Sequence, residues 1–322
     1  MKRRGILPKS KKGIEMSFTW LFAILAGTAI LFIAIYAATQ FIGVAKYQQY
    51  TEAAKSITIL IDPLETGIAS AIGDIIAFKQ ETRTHYNCLA PNSAEPFGKQ
   101  TISFSEKSGL GREWGVPGGE ISIRNKFIFA NNMEQGKNLY MFSMPFNTGF
   151  KVTDLIFLSA EEYCFIAPPN KVEDEIEQIN LKNINISTSI KDCPEQATTV
   201  CFTGGCDIVV DSEDYEVGAV IKDGKTVYFY GPLLYGAIFS DSKIYECNTQ
   251  RLLAKTSELA EVYLDKIDLV SIKQCDSAIE PFLQAISSSA KASKSSITFV
   301  AMADLIEQMD KREGQATCKI YS

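Results

Sequence analysis

The chain has 322 residues, 32 basic and 38 acidic, for a formal charge of −6, and 46% of its residues are hydrophobic. Mean hydropathy is +0.01. These values exclude a disordered, a collagen-like and a multi-span membrane chain, and a net acidic chain speaks against a nucleic-acid partner. The averages hide three unlike pieces, because neither charge nor apolarity is evenly spread.

Residues 1–16 carry Lys2, Arg3, Arg4, Lys9, Lys11 and Lys12 against one acid, Glu15, a net +5. Residues 17–44 then hold no charged side chain. As a helix they reach about 42 Å, more than the ~30 Å of a bilayer's hydrocarbon core. The apolar part of a cleavable secretory signal covers only ~7–15 residues. The stretch is therefore read as a transmembrane helix with the lipid bilayer as partner, and Trp20 and Tyr36 are placed near its interfaces. Basic residues resist translocation, so the N-terminus is expected in the cytoplasm. Residues 45–322, with 26 basic and 37 acidic side chains, are then an extracytoplasmic part of net charge −11. Ala23/Gly27 and Ala34/Ala38 are small-residue pairs one helical turn apart, through which the span could pack on itself or on other surface proteins.

Beyond the span, residues 45–83 are expected as membrane-proximal helices. Asp62-Pro63-Leu64-Glu65 has the form of a helix start, and Leu64, Ile68, Ile72, Ile75 and Ile76 recur on one face. Residues 84–230 read as mainly β, with aromatic and β-branched runs at 102–104, 121–129, 139–146 and 163–167. A short acidic helix at 171–179 interrupts them. The segment 218–230 reads as a hairpin turning at Asp223-Gly224, a pair that favours the type I′ turn. Residues 231–322 read as helical, with a long helix at 240–270, two shorter ones near 276–292 and 296–312, and a loosely ordered Ser/Ala/Lys turn at 286–296.

Eight cysteines, Cys88, Cys164, Cys193, Cys201, Cys206, Cys247, Cys275 and Cys318, all lie beyond the span. An even number in an oxidising exterior implies up to four disulfides, and no C-x₂-C pair is present to suggest a metal. A bond from Cys247 to Cys275 is disfavoured, because the helix carries the chain ~35 Å away and five residues reach back at most ~18 Å. A Cys275–Cys318 bond is expected from their placement at one end of a helical hairpin, together with one bond inside the 193/201/206 cluster.

No residue pattern points to catalysis, and no cofactor or metal is expected. His85 is the one histidine and lacks a partnered nucleophile nearby in sequence. Ser240/Lys243 and Ser288/Lys291 have Ser-Lys spacing without the companion motifs of Ser-Lys enzymes. The glycines at 109, 111, 115, 118 and 119 precede Pro117 or a strand rather than a helix, unlike a phosphate loop. Trp114 in that loop is a candidate contact residue or a core cap. The acidic run from Asp211 through Glu213 and Asp214 to Glu216 lacks the spacing of a calcium loop. Asn185-Ile186-Ser187 is a glycosylation sequon.

The segment from Lys9 to Ile42, with a basic leader, Gly13 at a possible leader-cleavage point before Ile14, an early acid and one long apolar helix, resembles type IV pilin N-termini and related archaeal surface proteins. Across KKGIEMSFTW, YNC…FGKQ, EEYCFI and YGAIFSDSKIYEC, most of the chain resembles single-pass membrane proteins of small-genome archaea to which no biochemical activity is attached. The resemblance implies a single-pass topology and a disulfide-bonded exterior, and an uncleaved signal anchor is the plainer reading of the same basic flank and apolar span. The expected fold is α+β: an N-terminal transmembrane helix, a disulfide-stapled extracytoplasmic domain with antiparallel β-structure, and a C-terminal helical part. The expected function is structural, adhesive or assembly-forming at the cell surface, with an anchored enzyme or ligand receptor as the alternative.

Overall fold

The computed structural model describes residues 18–60, 73–107, 113–271, 278–316 and 319–321. The chain divides into two compact units, residues 1–48 and 49–322. Helix α1 (Phe18–Leu60) begins in the first and ends in the second. Its segment Phe18–Phe41 has a mean hydropathy of 2.4, and none of it is buried. Twenty-four residues make a helix of about 36 Å, long enough to cross a bilayer. A signal sequence near an N-terminus passes the same test of length and composition. Two of the three threonine hydroxyls inside this segment bond to carbonyls of their own helix, Thr28 to Ile24 at 2.6 Å and Thr39 to Tyr36 at 2.8 Å. Lipid demands this internal satisfaction of polar groups.

The second unit is built on two six-stranded sheets. The first contains β1 (Asp74–Leu89), β2 (Lys99–Glu106), β3 (Ile121–Ile123), β4 (Phe127–Phe129), β5 (Met133–Thr148) and β6 (Phe150–Ser159), in the order β3-β2-β1-β5-β6-β4. All its pairings are antiparallel except β4 with β6. The second contains β7 (Tyr163–Ile166), β8 (Ile184–Ser187), β9 (Thr198–Cys201), β10 (Ile208–Asp211), β11 (Val217–Lys222) and β12 (Lys225–Tyr230), in the order β12-β11-β10-β9-β7-β8. Its β8, β7, β9 and β10 run parallel to one another, while β10–β11 and β11–β12 are antiparallel, so the expected antiparallel β-structure becomes one largely antiparallel and one mixed sheet. Helix α2 (Asn170–Ile179) supplies the crossover between parallel β7 and β8.

The central strands of the first sheet are buried on both faces, and alternation along β5 and over Leu155–Leu158 of β6 divides them. Phe142, Met144 and Phe146 on β5, with Leu155 and Phe157 on β6, join the larger core. Leu139 and Met141, with Ile156 and Leu158, join a smaller cluster on the opposite face with Tyr86, Ile102 and Phe104. The larger core is aromatic: Phe142 stacks on Phe157 with centroids 4.7 Å apart and meets Tyr235 and Phe239 edge-on.

The helices follow the strands: α3 (Leu233–Phe239), α4 (Ser242–Ser271), α5 (Glu280–Ala292) and α6 (Ile297–Gln315). The single long helix expected over 240–270 is α4, which starts two residues later than expected. Ser240 is extended, and Asp241 caps α4 by accepting from the backbone N–H of Lys243 and Ile244 at 3.1 and 3.0 Å. Buried Lys222 donates to the carbonyls of Ile238 (3.1 Å) and Ser240, closing the end of α3. The stretch 286–296, expected to be loose, is helical to Ala292, and Ser296 is pinned to Glu246 of α4 through both its N–H (3.0 Å) and its hydroxyl (2.5 Å).

The β-region starts ten residues earlier than expected, at Asp74. Ile75 and Ile76, expected on a helical face, lie in β1 and pair with Tyr140 and Leu139. The β-rich run from Ile75 to Phe78 outweighs a helical period that only two of its five residues continue here; Leu64, Ile68 and Ile72 lie outside the described residues. The hairpin β11–β12 turns at Asp223 (φ +51°) and Gly224 (φ +68°), both left-handed as a type I′ turn requires.

Among the described residues, three disulfides tie the unit together. Cys88 of β1 bonds Cys247 of α4 across 159 residues, Cys164 of β7 bonds Cys193 across 29, and Cys201 bonds Cys206 across 5. The proposed Cys275–Cys318 bond lies outside the described residues, as do Gly13 and Ile14.

Candidate functional site

The residues singled out from sequence disperse in the fold. His85 sits on β1 with Nε2 3.1 Å from Ser105 Oγ, and partial burial, assisted by Arg83, lowers its pKa. Ser240 is fully buried and its hydroxyl bonds Gly236 O at 2.6 Å, whereas Lys243 is exposed. Ser288 bonds Ala285 O at 3.0 Å, and Lys291 pairs with Glu261. Neither Ser-Lys pair meets. Trp114 bridges to Lys107 and lies 4.0 Å under the Arg83 guanidinium, so one face of the indole is already covered. Asn185 lies half-buried on β8, the edge strand of the second sheet. Among the described residues no group of three His, Cys, Asp or Glu side chains could hold a metal.

What the fold does assemble is a cleft of about 440 Å³ lined from four places in the chain. Helix α2 begins after Pro169, buries Val172, Ile176 and Ile179, and turns Lys171, Glu175 and Gln178 toward the cleft at the i, i+4, i+7 spacing of one helical face. The turn between β10 and β11 brings Tyr215 and Glu216. Gly231-Pro232, where β12 gives way to α3, and then Leu234 and Tyr235 form another wall, with Met144 and Pro145 of β5 completing it.

The β10–β11 turn is held by its own acids. Ser212 Oγ accepts from Tyr215 N–H at 2.9 Å, and Asp214 Oδ1 accepts from the N–H of Glu216 and Val217 at 2.9 and 3.3 Å. Those backbone bonds, that of Glu216 first, hold the Asp214 carboxyl below its usual pKa. Tyr215 has a left-handed backbone (φ +59°), uncommon for a bulky residue, and packs edge-on against Phe202 at 5.6 Å. Gly231, also left-handed at φ +54°, donates to Glu216 O at 2.7 Å and locks the two loops together. The carboxylates of the acidic run therefore diverge: Asp214 folds onto backbone and Glu216 pairs with Lys171.

Two polar pairs define the electrostatics. Tyr235 is 1% exposed, and its hydroxyl donates to Glu175 Oε2 at 2.5 Å. Burial first, and the Glu175 charge second, push the phenol well above its usual pKa, so it stays a donor. The Lys171–Glu216 ion pair is open to solvent on both sides, where such pairs are worth about 0–1 kcal/mol. The cleft thus carries two carboxylates against one ammonium.

A second cleft of about 350 Å³ lies between Phe97, Phe127 and Leu259, with Glu95 and Glu258 balanced by Arg124 and Lys255. Beneath it Arg251 is fully buried, has no carboxylate partner among the described residues, and donates to the oxygens of Phe97, Gln100, Arg124, Lys126 and Asn248 at 2.8 to 3.2 Å. Desolvation lowers its pKa to about 10, which leaves it charged at neutral pH. This guanidinium gathers loops and reads as architecture.

No family model, curated protein or solved structure matches this chain. The cleft therefore stands on its own chemistry. Sequence reading missed it because its acids come from the helix at 171–179 and from an acidic run that fails the calcium-loop pattern. The i, i+4, i+7 polar face of α2 was the available signal, but nothing in sequence paired it with Glu216.

Proposed function

We propose that this chain is a membrane-anchored surface protein of structural, adhesive or assembly type. Its basic tail would lie in the cytoplasm and its disulfide-bonded α+β unit would face outside. One observation carries the reading. A lipid-compatible, uncharged helix over Phe18–Phe41 precedes a unit bearing three disulfides, and disulfides persist in oxidising compartments. The basic flank at residues 1–16 supports the orientation. The resemblance of residues 9–42 to pilin N-termini supports assembly through the helix, with removal of the leader at Gly13/Ile14. A tethered receptor is the second reading, favoured by the Glu175–Glu216 cleft.

N-terminal sequencing of the chain extracted from membranes, with chemical cross-linking of intact cells, tests the proposal. A mature start at Ile14 with ladders of cross-linked chain is the pilin-like outcome, and an intact Met1 is that of a plain anchor. A monomer that hydrolyses cell-wall, glycan or peptide substrates would overturn the structural reading.

A further inference from the structure

We propose that the cleft between α2, the β10–β11 turn and the start of α3 binds an alkylammonium group, free or as a lysyl side chain. The inference goes beyond the surface-protein reading and does not depend on membrane topology. Three features of the cleft point to this chemistry. First, its charge selects a cation. Glu175 and Glu216 both line it, and the only cation among its lining residues is Lys171. Glu175 is also preoriented, because the hydroxyl that holds it belongs to Tyr235, itself fixed in the core against Phe142 and Phe239. The second oxygen of that carboxylate remains to receive an N–H donor; among the described residues its one hydrogen-bond partner is Tyr235.

Second, the walls suit a chain rather than a compact ion. Met144, Val172 and Leu234 line the cleft beside the carboxylates, and Tyr215 supplies an aromatic ring of the kind cations approach. A volume of about 440 Å³ is within the range of small-molecule sites and exceeds what a hydrated metal ion needs. Third, the protein already shows the group it accepts: the ammonium of Lys171 pairs with Glu216 at this site. That pair is solvent-exposed on both sides and competes weakly with an incoming amine.

Full-length protein in detergent would be titrated calorimetrically with 1,5-diaminopentane, with the peptide Gly-Lys-Gly blocked by N-terminal acetylation and C-terminal amidation, and with the same blocked peptide acetylated at the lysine amine. Saturable millimolar or tighter binding of either charged probe, absent for the acetylated one, is expected. Binding of the diamine alone identifies a free amine as the ligand class, and binding of the peptide alone a lysyl side chain. Glu175→Gln should weaken binding by about 10-fold through loss of a charge-assisted hydrogen bond. Exposed Glu216→Gln should weaken it by about 3-fold, while Lys171→Met, which removes the competing ammonium, should strengthen it by a similar factor. The opposite responses of Lys171 and Glu216 variants separate a binding site from general destabilisation. No saturable binding of either charged probe, equal binding of the acetylated peptide, or weakening by Lys171→Met would overturn the proposal. None of these results would bear on whether the chain is anchored in a membrane.

Discussion

Glu134 shows how one side chain can set a pH dependence. It is 2% exposed on β5 and accepts the N–H of Asn131 at 3.1 Å and of Ala160 at 2.7 Å. Those bonds favour the carboxylate, but burial outweighs them and raises its pKa to about 8. A carboxyl raised above its unfolded value binds more protons folded than unfolded between the two pKa values. Stability is therefore full below about pH 4.5 as far as this group is concerned and is lost as pH rises toward 8. The loss is on the order of 5 kcal/mol if the whole shift is expressed. Denaturant titrations from pH 5 to 8 should show wild-type stability declining relative to Glu134→Gln, whose profile lacks this slope. Comparing the two removes the contribution of His85, whose depressed pKa gives a slope of opposite sign. Parallel profiles would show that Glu134 is not the buried acid described. Lys222, lowered to about 8 by burial, affects stability above that range, where its unfolded counterpart still holds a proton. Neither group stood out in sequence, because burial, and not residue type or spacing, makes them unusual.

Among the elements, the bond between β1 and α4 closes the longest loop. Joining Cys88 to Cys247 across 159 residues restricts the unfolded chain far more than joining Cys201 to Cys206 across 5. The chain-entropy estimate is about 5 kcal/mol for the former and about 2 kcal/mol for the latter. Thermal unfolding of a Cys88→Ser/Cys247→Ser double variant should show a loss of about 3–5 kcal/mol, larger than that of Cys201→Ser/Cys206→Ser. Equal losses would contradict the assignment of the long bond. The pairing could not be read from sequence because it depends on β1 running to Leu89 beside α4. The argument against a Cys247–Cys275 bond needed only the length of one helix. Legibility varied among elements for similar reasons. The β11–β12 hairpin was plain from alternation and Asp223-Gly224, since both signals are local. Strand β6 (Phe150–Ser159) was passed over, because its residues are buried on both faces and leave no alternation of polar and apolar. The long helix α4 was legible to within two residues at its start, and Asp241 acting as a cap accounts for the difference.

At the scale of the molecule, the sequence separates cleanly into a +5 tail, an uncharged span and an acidic remainder, and the structure adds the division into a lipid-compatible helix and a disulfide-bonded α+β unit. The long apolar helix was legible because length and absence of charge need no tertiary context. The cleft was not, because Glu175 and Glu216 are 41 positions apart and meet only once α2 and the β10–β11 turn are placed. The net −11 of residues 45–322 fits a surface that receives cations, in keeping with the ammonium site. The central claim, a single-pass chain with its folded unit outside, is tested most directly by protease accessibility on intact cells after a tag is added after residue 322. The account predicts that the chain pellets with membranes after alkaline carbonate washing. Protease added to intact cells should remove the C-terminal tag and, once the disulfides are reduced, digest the folded unit. A tag that survives until the membrane is opened, or a chain released by carbonate, would contradict it.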